Sequence, residues 1–226
     1  VKRVWITDAQ VISCLGDDLA TLWKGLVAGK RGDVLVDRFP TENYKSRIAA
    51  LIPGLSPLSS PRGIANVQES MLAALVERLL GDFGPVPAEA RLITATTKGA
   101  VDLLEGICRK GGADPAALPL CRFSERVGER FGLARPGVNI SAACASSTIA
   151  IGRGAAMIAA GRADAVLVCC ADLVTEFVFS GFSAIGALSP SAARPFDRNR
   201  CGLMLGEGGA ALLLMAQGRA RREGRR

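Results

Sequence analysis

The chain has 226 residues, 49% hydrophobic, 22% charged and 5% aromatic, with a formal net charge of +7. That composition excludes a disordered chain, and no apolar run is long enough to span a bilayer. Four of the seven net charges belong to the last nine residues, Gly218–Arg226. The remainder is too weakly basic, and too poor in interleaved aromatics, to indicate nucleic acid. Histidine is absent, which removes His-built zinc sites and any Cys-His or Ser-His pair; no metal and no cofactor is expected. Seven cysteines, an odd number without a C-x-x-C, fit reduced thiols in a cytoplasmic protein; Cys14, Cys108, Cys121, Cys169, Cys170 and Cys201 read as small buried hydrophobes.

In chain order, Val4–Ser13 is β-branched and apolar and predicts a strand. Asp17 or Asp18 caps a helix whose core face is Leu19, Leu22, Trp23, Leu26 and Val27, with Gly29 as its stop. Residues 30–57 hold Pro40, Pro53 and Gly54 and predict loops with short strands. Ser60-Pro61 predicts a helix start, and the apolar face runs on through Met71, Leu72, Leu75, Val76, Leu79 and Leu80. A strand follows at Arg91–Thr97, then a helix from Gly99 with Val101, Leu104, Ile107 and Cys108 on one side. A polar link containing Gly111, Gly112 and Pro115 leads to a short amphipathic helix near Phe123–Phe131. Pro136–Ser141 is a short strand, 145–160 a helix stopped by Gly161, and Ala163–Ala171 and Gly208–Met215 are two further strands. The basic tail reads as a solvated linker or the first turn of a helix. Strands alternating with helices predict one α/β domain over residues 1–226, with a mixed, mostly parallel five-stranded sheet covered on both faces.

The chemistry concentrates in Asn139-Ile140-Ser141-Ala142-Ala143-Cys144-Ala145-Ser146-Ser147. Cys144 falls where a strand gives way to a helix, and unpaired N–H groups with a positive dipole end favour a thiolate and an oxyanion there. The helix behind it is rich in Ala and Gly on every side, which predicts a helix buried all round. By residue type alone, Cys144 remains either this nucleophile or one more small buried hydrophobe.

That segment, followed by Ala160-Gly161-Arg162-Ala163-Asp164-Ala165-Val166-Leu167-Val168, resembles the nucleophile region of the β-ketoacyl-acyl carrier protein synthases. Three more stretches agree in order and spacing: Phe182–Ser189, the Pro195-Phe196-Asp197 to Gly202 and Gly206-Glu207-Gly208 elements, and the opening Val4–Gly32. The resemblance implies the N-terminal half of a thiolase-like layered fold, with Cys144 carrying an acyl group delivered by an acyl carrier protein. Its own N–H would serve as an oxyanion donor, and Ala143 and Phe182 would line the substrate pocket. It also implies a decarboxylative condensation with malonyl-carrier protein, and a homodimer or heterodimer. Asp197 and Arg200 are expected to form a structural ion pair, and the Gly-Glu-Gly element a tight turn. Members of that family use two His from a C-terminal half that this sequence does not contain, so the chain is expected not to condense acyl groups by itself. The alternative function is a non-catalytic partner subunit that shapes a synthase's acyl tunnel, as a chain length factor does.

Overall fold

The computed structural model describes residues 1–58, 69–110 and 118–225. Five strands form the main sheet: β1 (Val4–Ser13), β4 (Arg91–Ala95), β5 (Val138–Ile140), β6 (Ala165–Asp172) and β7 (Gly208–Ala216), in the order β1-β7-β6-β4-β5. The pairings of β4 with β5 and with β6 are parallel; β7 runs antiparallel to both β6 and β1. A separate hairpin pairs β2 (Asp33–Leu35) with β3 (Ile48–Ala50). β6 is buried along nearly its whole length, as expected of a continuous apolar run between two helical layers.

One face of the sheet is covered by α2 (Met71–Leu80) and α4 (Cys121–Arg130), which bury Leu75, Leu79, Phe123 and Val127 against Leu167, Leu213 and Met215. The other face is covered by α5 (Ser146–Ala159), where Ala150 and Ile158 meet Val166, Val168 and Leu214. A third cluster packs Phe179 of α6 (Glu176–Ala184) against Phe39 and Tyr44 in edge-on ring contacts. The remaining helices are α1 (Leu19–Val27), α3 (Val101–Lys110) and α7 (Gln217–Arg222).

Several expectations are corrected. α1 is capped by Asp18, which accepts from Thr21 N, but Leu19, Trp23, Leu26 and Val27 all face outward. The helix instead turns the buried Gly25 onto Leu15. The Ser60-Pro61 start and the link with Gly111, Gly112 and Pro115 lie outside the described residues; α2 begins at Met71, where Ser70 accepts from Leu72 N. α3 buries Val101 and Leu103, not Leu104 or Cys108. Of the two readings of the basic tail, the structure has the helix: α7, whose Arg219 pairs with Glu89 and Glu223. α5 is buried on one stripe only, Ser146, Ala150, Gly154 and Ile158; Ser147, Thr148, Ile149, Gly152 and Arg153 are exposed because a single layer of this chain packs on it.

Candidate active site

The parallel strands β4, β5 and β6 end on the same edge of the sheet, and the loops leaving them meet there. Such an edge is where open α/β sheets place their ligand sites. From β4, the buried Thr96 donates through Oγ1 to Asp172 Oδ1 at the end of β6 (2.9 Å) and accepts from Gly99 N (3.1 Å). Thr97 gives both its N–H (3.0 Å) and its hydroxyl (3.1 Å) to the same carboxylate. From β5, Asn139 Nδ2 donates to Thr96 O (3.3 Å) and Ser141 Oγ to Thr97 O (3.4 Å). Asp172 thus fastens the ends of β4 and β6, and the carbonyls of Thr96 and Thr97 tie in the end of β5.

The β5–α5 turn carries Cys144. Ala143, just before it, has φ of 48°, a left-handed conformation uncommon for a residue with a Cβ. Ser146 holds the turn closed: its buried hydroxyl accepts from Ala142 N (2.8 Å) and donates to Ala143 O (2.7 Å). Cys144 is exposed. Among the described residues the backbone N–H groups of Cys144, Ser147 and Thr148 have no acceptor, and the cap position, Ala145, has no side chain to supply one. A sulfur thus stands beside free donors at the positive end of a 14-residue helix, an arrangement that suits a developing oxyanion.

Phe182 lies on α6. It walls a cavity of about 280 Å³ together with Lys98, Phe177, Val178, Ser180, Gly181 and Ile185. α3 holds α6 in place: Glu105 Oε1 accepts from Phe177 N (2.6 Å), and Arg109 pairs with Glu176. Cys144 and Ala143 are not part of that wall; the Ser141–Thr97 contact links their turn to the loop bearing Lys98.

The other cysteines divide. Burial pushes the Cys169 thiol well up and the Cys170 thiol up to about 12, and raises that of Cys14. Cys108, Cys121 and Cys201 are exposed, against expectation: the first two lie on the solvent sides of α3 and α4, the third in the loop before β7. The Ser189 hydroxyl, 3.0 Å from Cys201 Sγ, lowers its pKa, helped by Ser191 and Arg194.

The expected Asp197–Arg200 ion pair is replaced by a backbone contact, Arg200 Nη1 to Asp197 O (3.2 Å). The ion pair that matters is made by Glu207. Its fully buried carboxylate takes two bonds from Arg38 (2.6 and 2.7 Å) and the N–H groups of Ile52 (2.7 Å) and Val174 (3.3 Å). Sequence reasoning missed Arg38, Ser146 and Asp172. Only Ser146 carried a local signal, a small hydroxyl residue in a first helical turn.

Residues 118–220 match the family model for the β-ketoacyl synthase N-terminal domain. The chain is 30% identical over 240 residues to a 3-oxoacyl-[acyl-carrier-protein] synthase 2 of Vibrio cholerae, covering 94% of this chain and 58% of that protein. It is also 30% identical over 260 residues to the tetracenomycin polyketide synthase ketoacyl synthase alpha subunit of Streptomyces glaucescens, covering 99% and 60%. Among solved structures, the ishigamide ketosynthase/chain length factor superposes with a TM-score of 0.81 at 27% identity, over all of this chain and 61% of that one. The chain therefore spans about three-fifths of the length of these relatives.

Fold and matches together define a thiolase-like condensing-enzyme architecture. Within it, the chain is similar to the N-terminal part of the β-ketoacyl synthases.

Proposed function

We propose that residues 1–226 form the acyl-holding N-terminal unit of a β-ketoacyl-acyl carrier protein synthase acting in fatty acid or polyketide synthesis. The observation that carries this reading is Cys144: an exposed thiol on a strained turn at the start of a buried-stripe helix, beside N–H groups with no acceptor. The Cys144 thiolate attacks the carbonyl carbon of an acyl thioester. The Cys144 N–H stabilises the oxyanion, the new C–S bond forms, and the carrier's C–S bond breaks as its thiol leaves with a proton. In the second half-reaction malonyl-carrier protein loses CO₂, its carbanion attacks the Cys144 thioester, and the thiolate is released. Ala143 shapes the approach to the sulfur, and Phe182 lines the acyl pocket.

The partners are an acyl carrier protein, which the curated relative's name specifies for that enzyme, and a C-terminal half that packs on the exposed side of α5 and supplies the decarboxylating groups. Condensing-enzyme subunits then pair as a homodimer or heterodimer. No helix among the described residues is long and apolar enough to cross a membrane, and we place the reaction in the cytoplasm, where seven free thiols stay reduced.

The test is acylation of the purified chain by an acyl-N-acetylcysteamine thioester, mapped by peptide mass spectrometry. One adduct at Cys144, lost in Cys144→Ala, is expected. Adducts spread evenly over Cys108, Cys121, Cys144 and Cys201, or none at all, would reject the nucleophile. That result would favour the second reading, a chain-length-factor-like partner, which the similarity to a ketosynthase/chain length factor brings into view.

A further inference from the structure

The cavity beside α6 contains one charge. Its wall is Phe177, Val178, Phe182 and Ile185, with the small Ser180 and Gly181, and Lys98 closes it from the β4–α3 loop. Lys98 is half-buried, and its ammonium donates a single hydrogen bond, to Thr97 Oγ1 (3.2 Å). Two of its three donors are left over. Among the described residues it forms no ion pair. Asp172 faces it across the Thr97 hydroxyl, which donates to that carboxylate, while Glu105 accepts from Phe177 N and Glu176 pairs with Arg109. A ligand that brings an oxygen acceptor to the two remaining donors gains a charge-assisted hydrogen bond in a partly desolvated setting.

We infer that Lys98 is a specificity-determining residue that selects acyl chains whose far end carries an oxygen acceptor, a terminal carboxylate above all, over plain alkyl chains. The methylenes lie against Phe177, Phe182 and Ile185, and the terminal oxygen accepts from Lys98 Nζ. A volume of about 280 Å³ is at the small end for a ligand pocket, so the chain is short. The inference rests on the reading of Cys144 as the acyl carrier, and the experiment separates the two.

Two measurements are made on the full 226-residue chain. The first is binding of adipic acid monoamide against hexanamide, followed by calorimetry. The second is the rate of Cys144 acylation by adipoyl- against hexanoyl-N-acetylcysteamine, followed by mass spectrometry. In wild type the adipoyl probes are preferred, and the preference weakens with salt. Lys98→Met keeps an unbranched apolar stem but not the charge, and it lowers the adipoyl-to-hexanoyl ratio about tenfold in both assays, as expected for one charge-assisted contact. Lys98→Arg retains most of the preference. Acylation at Cys144 with a ratio that Lys98→Met leaves unmoved would overturn the Lys98 inference alone. Monoamide binding that depends on Lys98, with Cys144 never acylated, would overturn the Cys144 reading and leave Lys98 as a carboxylate site. Equal binding of both amides by wild type would overturn the inference whatever Cys144 does.

Discussion

At the scale of single residues, the turn around Cys144 depends on Ser146. Its hydroxyl makes both of the side-chain bonds that close the turn, and it is buried. Ser146→Ala strands Ala142 N and takes one donor from Ala143 O, so a loss of about 1–3 kcal/mol in a urea titration is expected. Acylation at Cys144 should slow as well; an unchanged rate with lowered stability would make Ser146 structural only. Cys201 gives a pH-dependent counterpart. Its thiol is held below the ordinary cysteine value, first by the Ser189 hydroxyl, so the thiolate is present at lower pH and alkylation at this site should begin at lower pH than for an unperturbed thiol. Ser189→Ala should move its half-maximal pH upward, as read by site-resolved labelling between pH 6 and 10; no movement would remove the hydroxyl as the cause. Cys144 could be singled out as a candidate in the sequence because its segment is local. Ser189 and Cys201 could not, because twelve residues separate two atoms that only the fold brings together.

At the scale of elements, α5 shows how close helix and sheet lie. A Cβ on Gly154 would stand 3.1 Å from Leu214 Cδ1 and from Val166 Cγ1, whereas one on Gly152 would meet nothing within 4 Å. Gly154→Val should therefore cost roughly 1–3 kcal/mol by overpacking. Gly152→Ala should stabilise by up to about 1 kcal/mol through helix propensity. Chemical denaturation of the pair checks both signs, and a neutral Gly154→Val would mean that α5 can lift off the sheet without cost. The strands were readable because alternation and β-branched runs survive in a single sequence, and β1, β6 and β7 lie where periodicity puts them. Facing was less readable. The stripe Leu19, Trp23, Leu26 and Val27 has helical spacing, yet the helix presents Gly25 to the protein, because periodicity marks an apolar side without saying what covers it. α6 escaped for the opposite reason: Glu176–Ala184 mixes Phe, Ser and Gly in a pattern that its few residues cannot resolve into a period.

At the scale of the molecule, Glu207 ties distant parts together. Arg38 follows the β2 strand, Ile52 follows β3, Val174 follows β6, and Glu207 opens β7; one buried carboxylate joins all four. Arg38→Met leaves that charge without its partner, an error that costs about 3–5 kcal/mol in other buried pairs and should show as a lowered denaturation midpoint. The same level of organisation decides how far the chemistry can run. Acyl transfer to Cys144 needs a thiolate and oxyanion donors, and the β5–α5 turn offers both an exposed sulfur and N–H groups without acceptors. Condensation needs more: loss of CO₂ from a malonyl thioester places negative charge on an enolate oxygen, which must be met by positioned donors. The chain holds no histidine at all, and the side of α5 turned away from the sheet presents Ser147, Thr148, Ile149 and Arg153 to solvent rather than to a second layer. The two half-reactions should therefore separate in the purified 226-residue chain. With acyl-N-acetylcysteamine and malonyl-carrier protein, mass spectrometry should find acyl-Cys144 accumulating without release of a β-ketoacyl product. A detectable β-ketoacyl thioester would show that these residues alone complete the enolate site, and it would overturn the assignment of decarboxylation to a second half.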